Sequence, residues 1–165
     1  MNQKANICIE GNAGTGLGEN MMSGTIHVKG NSSQSAGATA HGGTIIVDGD
    51  ASSRCGISMK GVEIIVKGSV GHMSAFMAQA GTLMICGNAG DALGDSIYET
   101  VIYLAGKPKS LGVDCIEKKV TKNDLKKIEN LIEVGNIKKL KPHNFKKFGS
   151  ARKLYNFNID NVSEY

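Results

Sequence analysis

Tryptophan is absent from the 165 residues, and aromatic side chains reach only 5%. A chain so poor in rings, with 22 glycines and an ordinary 41% apolar content, points to thin regular layers rather than a helical bundle. There is no C-x-x-C. Cys8, Cys55, Cys86 and Cys115 stand 47, 31 and 29 residues apart, which argues against a zinc or iron–sulfur site in this chain. No signal peptide or transmembrane run opens the sequence, so a cytoplasmic setting with free thiols is expected. His27, His41, His72 and His143 show neither H-E-x-x-H spacing nor clustering with cysteine. Nothing proposes a nucleophile held by a base and an orienting acid. No catalytic, cofactor-binding or metal-binding residue is therefore expected here.

The net charge of +4 is unevenly placed. Residues 1–105 hold 5 Lys/Arg and 8 Asp/Glu, whereas residues 106–165 hold 14 and 7. The lysines of the basic end are interleaved with acids along a helical pattern, and no nucleic-acid motif accompanies them. This reads as a solvated or partner-facing surface.

What is abundant is periodic glycine. Gly11, Gly30, Gly49, Gly68, Gly87 and Gly106 each close a short apolar run, at an interval of 19 residues. Four and two residues before each glycine stand apolar pairs: Ile7/Ile9, Ile26/Val28, Ile45/Val47, Ile64/Val66, Leu83/Ile85 and Ile102/Leu104. That alternation marks a strand with one buried face. Further columns of small residues and of second and third glycines repeat at the same interval. The pattern predicts three short strands per coil, separated by glycine corners that need positive φ or close backbone approach. No coil closes its own core, so coils must stack. The phrase "GNAGTGLG" at 11–18 is then a corner. A phosphate loop would need a helix directly after it, and the chain returns to strand. Val62 and Thr100 stand where the third glycine is expected, which marks corners that bulge or receive a neighbour.

One column faces outward. Three before each glycine come Cys8, His27, Ile46, Ile65, Met84 and Tyr103. The last four form an apolar strip that needs a cover, either the tail or a partner subunit. His72 and Asp91 fall on adjacent coils in a polar corner column. Asp91, Asp95 and Glu99 lie close in sequence, without the calcium-binding nonapeptide of other β-helices.

After Gly106 the repeat ends. Residues 121–135 predict a helix: Thr121 as N-cap with Asp124 three residues on, a stripe of Leu125, Ile128 and Leu131/Ile132, and Gly135 as stop. A second short helix is expected from Ser150. Aromatic residues with Arg are common interface anchors, so Phe145, Phe148, Arg152, Tyr155, Phe157 and Tyr165 are expected to contact a partner, while the coils mainly set spacing.

The coils resemble the GXGXG family, known as the β-helix domain ending the glutamate synthase large subunit and, more distantly, as the β-helix subunit of formylmethanofuran dehydrogenase. "GSVGHMSAFMAQ", "GDALGDSIYE" and "GSARKLYNFNIDN" resemble most the stand-alone form found in archaeal-type glutamate synthases and N-methylglutamate synthases. The resemblance implies an all-β fold: a single-stranded, right-handed parallel β-helix of about six 19-residue coils over residues 1–117, with a helical, basic and aromatic C-terminal tail over residues 118–165. It further implies a structural subunit without catalytic residues of its own. FMN and iron–sulfur clusters would sit on a synthase partner beside a glutaminase-like amidotransferase, with neither nucleic acid nor membrane as partner. A formylmethanofuran dehydrogenase scaffold and a self-contained ligand-binding solenoid remain the alternatives.

Overall fold

The structure is a computed structural model describing residues 5–152. Each apolar-x-apolar-x-Gly run forms a strand: β1 (Asn6–Ile9), β2 (Thr25–Val28), β3 (Thr44–Val47), β4 (Lys60–Val66), β5 (Ala80–Ile85) and β6 (Val101–Leu104). They pair in parallel and in chain order, Ile7 beside Ile26, Ile26 beside Ile45 and Ile45 beside Ile64. The 19-residue interval of the sequence is thus the register of the sheet. The result is a β-solenoid of about five turns. Inside it runs a ladder of fully buried side chains, Ile45, Ile64, Leu83 and Ile102, with Val47, Val66, Ile85 and Leu104 two residues further on.

Three strands per coil was the expectation; each coil instead has one strand, one isolated bridge and a long turn. The bridges join Ala13, Ser32, Ala51, Val70, Ala89 and Pro108, and the last coil adds a second between Leu93 and Leu111. In the turn, φ is positive at every second residue, as at Ser35, Gly37 and Thr39. Successive peptides then point alternately up and down the stack. The N–H of Ser35 donates to Ser53 O on the next coil at 3.0 Å, that of Gly37 to Leu17 O on the previous coil at 2.7 Å, and that of Thr39 to Ile57 O at 2.9 Å. The backbone is satisfied between coils without a strand. Left-handed conformations at Arg54, Met73 and Met77, each costing about 1 kcal/mol, are held by this network.

Of the six corner glycines of the 19-residue column, Gly30, Gly49, Gly68, Gly87 and Gly106 serve by the second of the two expected means; among the described residues nothing lies within 4 Å of a Cβ on Gly11. None has the left-handed φ. A Cβ on Gly68 would lie 2.7 Å from Gly49 O, because the coils stack glycine on glycine. Gly68→Val is therefore expected to lower stability by about 1–3 kcal/mol, read as a lower urea midpoint; an unchanged midpoint would mean the coils are not in this contact. The residue after each glycine adds a ladder of its own. Asn12, Asn31, Asp50, Ser69 and Asn88 each accept, through a side-chain oxygen, the backbone N–H one coil above, at 2.7 to 3.0 Å.

A register shift between Lys60 and Glu63 falls at Val62, where a bulge was expected. At Thr100 the next strand starts in register, and the Thr100 hydroxyl is buried without a hydrogen-bond partner among the described residues.

Beyond the coils lie β7 (Cys115–Lys118), α1 (Lys122–Val134), a single 3-10 turn at Pro142–Asn144 and β8 (Lys146–Ser150). The sheet order is β1-β2-β3-β4-β5-β6-β8-β7, with β8 antiparallel to both neighbours. The tail thus supplies a strand to the sheet of the coils. Ser150 ends that strand instead of capping a helix; the segment from residue 153 on lies outside the described residues. Among the described residues no helix is long and apolar enough to cross a membrane.

Candidate functional site

The outward strip is covered by the chain's own tail. Ile46, Ile65, Met84 and Tyr103 pack against Ile128, Leu131 and Phe145, all seven of them buried. Burying side chains of this size is worth about 1.5–3 kcal/mol each, which fixes the tail to the prism. The open choice between tail and partner is thereby resolved for the strip.

Helix α1 forms where expected. Thr121 caps it, its side chain accepting from the Asp124 N–H while Asp124 accepts from the Thr121 N–H, and Gly135 ends it. Its seated face differs from the expected one. Leu125 is 38% exposed, while Asp124, Ile128 and Leu131 face the sheet. The rotation follows from Asp124, which does more than cap. Its Oδ1 accepts from the Tyr103 hydroxyl at 2.7 Å and from Lys147 Nζ at 2.8 Å. Its Oδ2 accepts from the Thr121 N–H at 2.7 Å and the Thr121 hydroxyl at 2.6 Å. Burial by itself would raise the Asp124 pKa; the bonds from Lys147, Thr121 and Tyr103 outweigh it and hold the carboxyl well below the usual carboxylate range. Burial, with the Asp124 charge beside it, drives the Tyr103 phenol up, so it stays a donor. One carboxylate thus joins β6, α1 and β8. Lys127 on α1 also pairs with Glu63 on β4.

Further out on the same sheet face, Asp48 Oδ1 takes His27 Nε2 at 2.8 Å and Lys67 Nζ at 2.7 Å. Beside Lys67 a groove of about 490 Å³ runs between the strand ends and the loop after α1, lined by Cys86, Ile137, Lys138, Lys139 and Leu140.

The tail candidates divide. Phe145 is 3% exposed within the strip cluster and Phe148 is 2% exposed within the prism core. Their expected place on an open partner surface is corrected: an open edge at β6 and an uncovered strip within the same chain take both rings. Arg152 is exposed and its guanidinium pairs with Asp114. Tyr155, Phe157 and Tyr165 lie outside the described residues. Asp91 turns to Lys109 at 2.8 Å and Ser110 at 3.4 Å rather than to His72. Asp95 bonds the Ser96 hydroxyl and the Val113 N–H. Among the described residues no three His, Cys, Asp or Glu side chains converge as a metal set. Burial pushes the Cys55 thiol up to about 12 and those of Cys86 and Cys115 to about 11, so all three are neutral thiols at physiological pH.

The hub of Asp124, Tyr103 and Lys147 was not read from the sequence. Asp124 carried a capping signal and nothing more. The available clue was Tyr103, the one hydroxyl in an otherwise apolar strip, which needs a partner once covered.

Comparison with known proteins agrees with this architecture. The GXGXG motif matches residues 39–158. Protein GlxC of Rhizobium meliloti (strain 1021) is 60% identical over all 165 residues, which cover 72% of its length. The chain belongs to the GXGXG family, a glutamate-synthase-related family of β-solenoid proteins.

Proposed function

We propose that this chain is a non-catalytic structural and assembly subunit of a glutamate-synthase-type oxidoreductase. The reaction of the whole would be transfer of an amino group from glutamine to a 2-oxo acid. A glutaminase-like chain would release the nitrogen and a synthase chain with FMN and iron–sulfur clusters would perform the reduction, in the cytoplasm. The observation that carries the reading, beside the family, is how this chain uses its buried ionisable groups. Asp124, Tyr103 and Lys147 are locked to one another across three elements, and the buried thiols are neutral. Such groups build a rigid body and are not poised for turnover. Contact with the partners is assigned to Arg152 and the aromatic segment after it.

Co-purification from the native host tests this. The chain should elute with a glutaminase-like protein and a flavin- and iron-bearing protein, and glutamine-dependent amino transfer should require all of them. Purified alone it should be colourless, with no flavin absorbance and no stoichiometric iron. A flavin spectrum or turnover by the isolated chain would overturn the proposal, as would a native complex without a synthase-type partner.

A further inference from the structure

We propose that the groove between the strand ends and the loop after α1 is a docking site for an acidic segment of a partner protein, one that sets an apolar side chain between carboxylates. The floor of the groove is unfinished core. Cys86, Ile137 and Leu140 pack on the buried strip cluster, yet all three stay partly exposed along the groove. The tail buries Ile46, Ile65, Met84 and Tyr103 completely or nearly so and leaves this ledge half-covered.

The loop that forms the outer wall is fixed at both ends. Asn136 takes a left-handed φ of 51°. The Ile137 N–H donates back to Ile132 O at 2.9 Å and the Asn136 N–H to Glu133 O at 3.0 Å, the pair of bonds that closes a helix on a left-handed residue. Ile137 folds back beside Gly135, where a Cβ would lie 3.1 Å from Ile137 Cδ1 and 3.1 Å from Ile65 Cγ2. At the far end the Asn144 side chain accepts the Lys141 N–H at 2.7 Å. Lys138 and Lys139 are therefore carried on a preformed wall, and little ordering is left for a partner to impose.

Charge says what kind of occupant fits. Lys67, Lys138 and Lys139 line the groove, and among the described residues no carboxylate does. Lys67 is already satisfied: its Nζ donates to Asp48 Oδ1 at 2.7 Å, beside His27 Nε2 at 2.8 Å. Lys138 and Lys139 are exposed, and among the described residues neither is paired with a carboxylate. A fixed cationic rim over an apolar floor is complementary to carboxylates that flank an apolar side chain, and such rims govern specificity and association rate. A nucleic acid is the poorer fit. The lining offers neither arginine nor an aromatic ring for stacking, and residues 1–105, which hold the coils beneath, carry 5 Lys/Arg against 8 Asp/Glu.

The inference rests on the proposed function only for the existence of a partner chain. It adds a second contact to the one assigned to Arg152 and the segment after it.

Carbodiimide coupling of the complex isolated from the host tests it, because that reagent joins an amine directly to a carboxylate only where the two already touch. Lys138 or Lys139 should become linked to an Asp or Glu of another chain, next to an apolar residue. Lys138→Glu with Lys139→Glu should weaken binding to the separated partner by at least about tenfold and remove most of its salt dependence. Lys122→Glu with Lys126→Glu makes the same change of charge on exposed positions of α1 and should stay within about twofold. Both pairs should leave the urea midpoint in place; if the loop pair lowers it, the coupling result decides alone. Binding unmoved by the loop pair, an equal loss from the helix pair, or no coupling at either lysine would each overturn the proposal. So would isolation of the chain from its host without a partner. Coupling of Lys138 or Lys139 to Asp160 or Glu164 in the chain by itself would overturn it too, by giving the groove to residues 153–165. A coupled complex that lacks a synthase-type chain would defeat the proposed function and leave this inference standing, and a synthase-type complex with both lysines uncoupled would do the reverse.

Discussion

Asp124→Asn should destabilise the protein by about 3 kcal/mol at neutral pH, the low end for breaking a buried pair because Lys147 keeps some access to water. The amide matches the carboxylate in shape but carries no charge. Lys147, 19% exposed along its side chain, is left without its counter-ion. The Thr121 hydroxyl and N–H now meet an amide that offers a single acceptor oxygen. The seat of α1 and the inner edge of β8 loosen together, because one side chain fastens both. Denaturation in urea at pH 7 measures the loss, and a midpoint within error of the unmodified chain would remove Asp124 from its central place.

The sign of the pH dependence follows from the same group. The folded Asp124 pKa is depressed, while the unfolded value is about 3.9. The contribution is fully present above that unfolded value. As pH falls below it the unfolded state takes up the proton first, and the advantage is lost on the way down to the folded pKa. Between pH 5 and about pH 2 the unmodified chain should therefore lose stability more steeply than Asp124→Asn, and the two curves should converge. Parallel curves would show that the carboxylate is not held by these bonds.

Ile64→Ala should cost about 2–5 kcal/mol, towards the upper end. Ile64 is fully buried, with Ile45 and Leu83 beside it in the ladder. The cost of such a truncation depends on how far the surroundings collapse. Here the opposite wall is backbone: the Ile64 Cδ1 methyl sits against Gly37 and lies 3.5 Å from where a Cβ on Gly56 would be. Corner peptides bonded to the coils above and below cannot move in to fill the space. A urea midpoint unchanged by the substitution would mean that the inner ladder is wrongly placed.

The glycine column was legible because it expresses a distance of closest approach that only glycine meets, repeated at one interval. The same interval set the register of five strand pairs and the direction of the apolar strip. The turn conformation was legible only in part. The column of Gly18, Gly37, Gly56 and Gly94 shows its positive φ as glycine, whereas positive φ at Ser35, Arg54 and Met73 leaves no mark on residue type, since the bonds that sustain it come from neighbouring coils. β8 was hidden for a related reason. Lys-Lys-Phe-Gly-Ser has little strand character of its own and pairs because β6 offers an open edge. The helix was legible in its ends and misjudged in its face: Leu125 fitted the apolar stripe, but Asp124 had to reach Tyr103. Of the site, the strip could be read because its members share a column, whereas Lys147 lies in another element and could not be matched to Asp124.

The late position of β8 has a consequence for synthesis on the ribosome. Each coil pairs with the one made just before it, so the parallel ladder can grow from the N-terminus as the chain emerges, with only short loops to close. β7 cannot follow the same course. It is made directly after the coils, yet its neighbour in the sheet is β8, which emerges only after α1. Until then β6 presents a bare edge, and Ile65, Met84 and Tyr103 are wet. A nascent chain stalled between residues 118 and 145 is a finished solenoid with an unlatched end, the form most open to chaperones, to proteases or to a strand from another molecule. Selection for rapid translation of this stretch, or for a holding factor that binds it, would act on that interval alone.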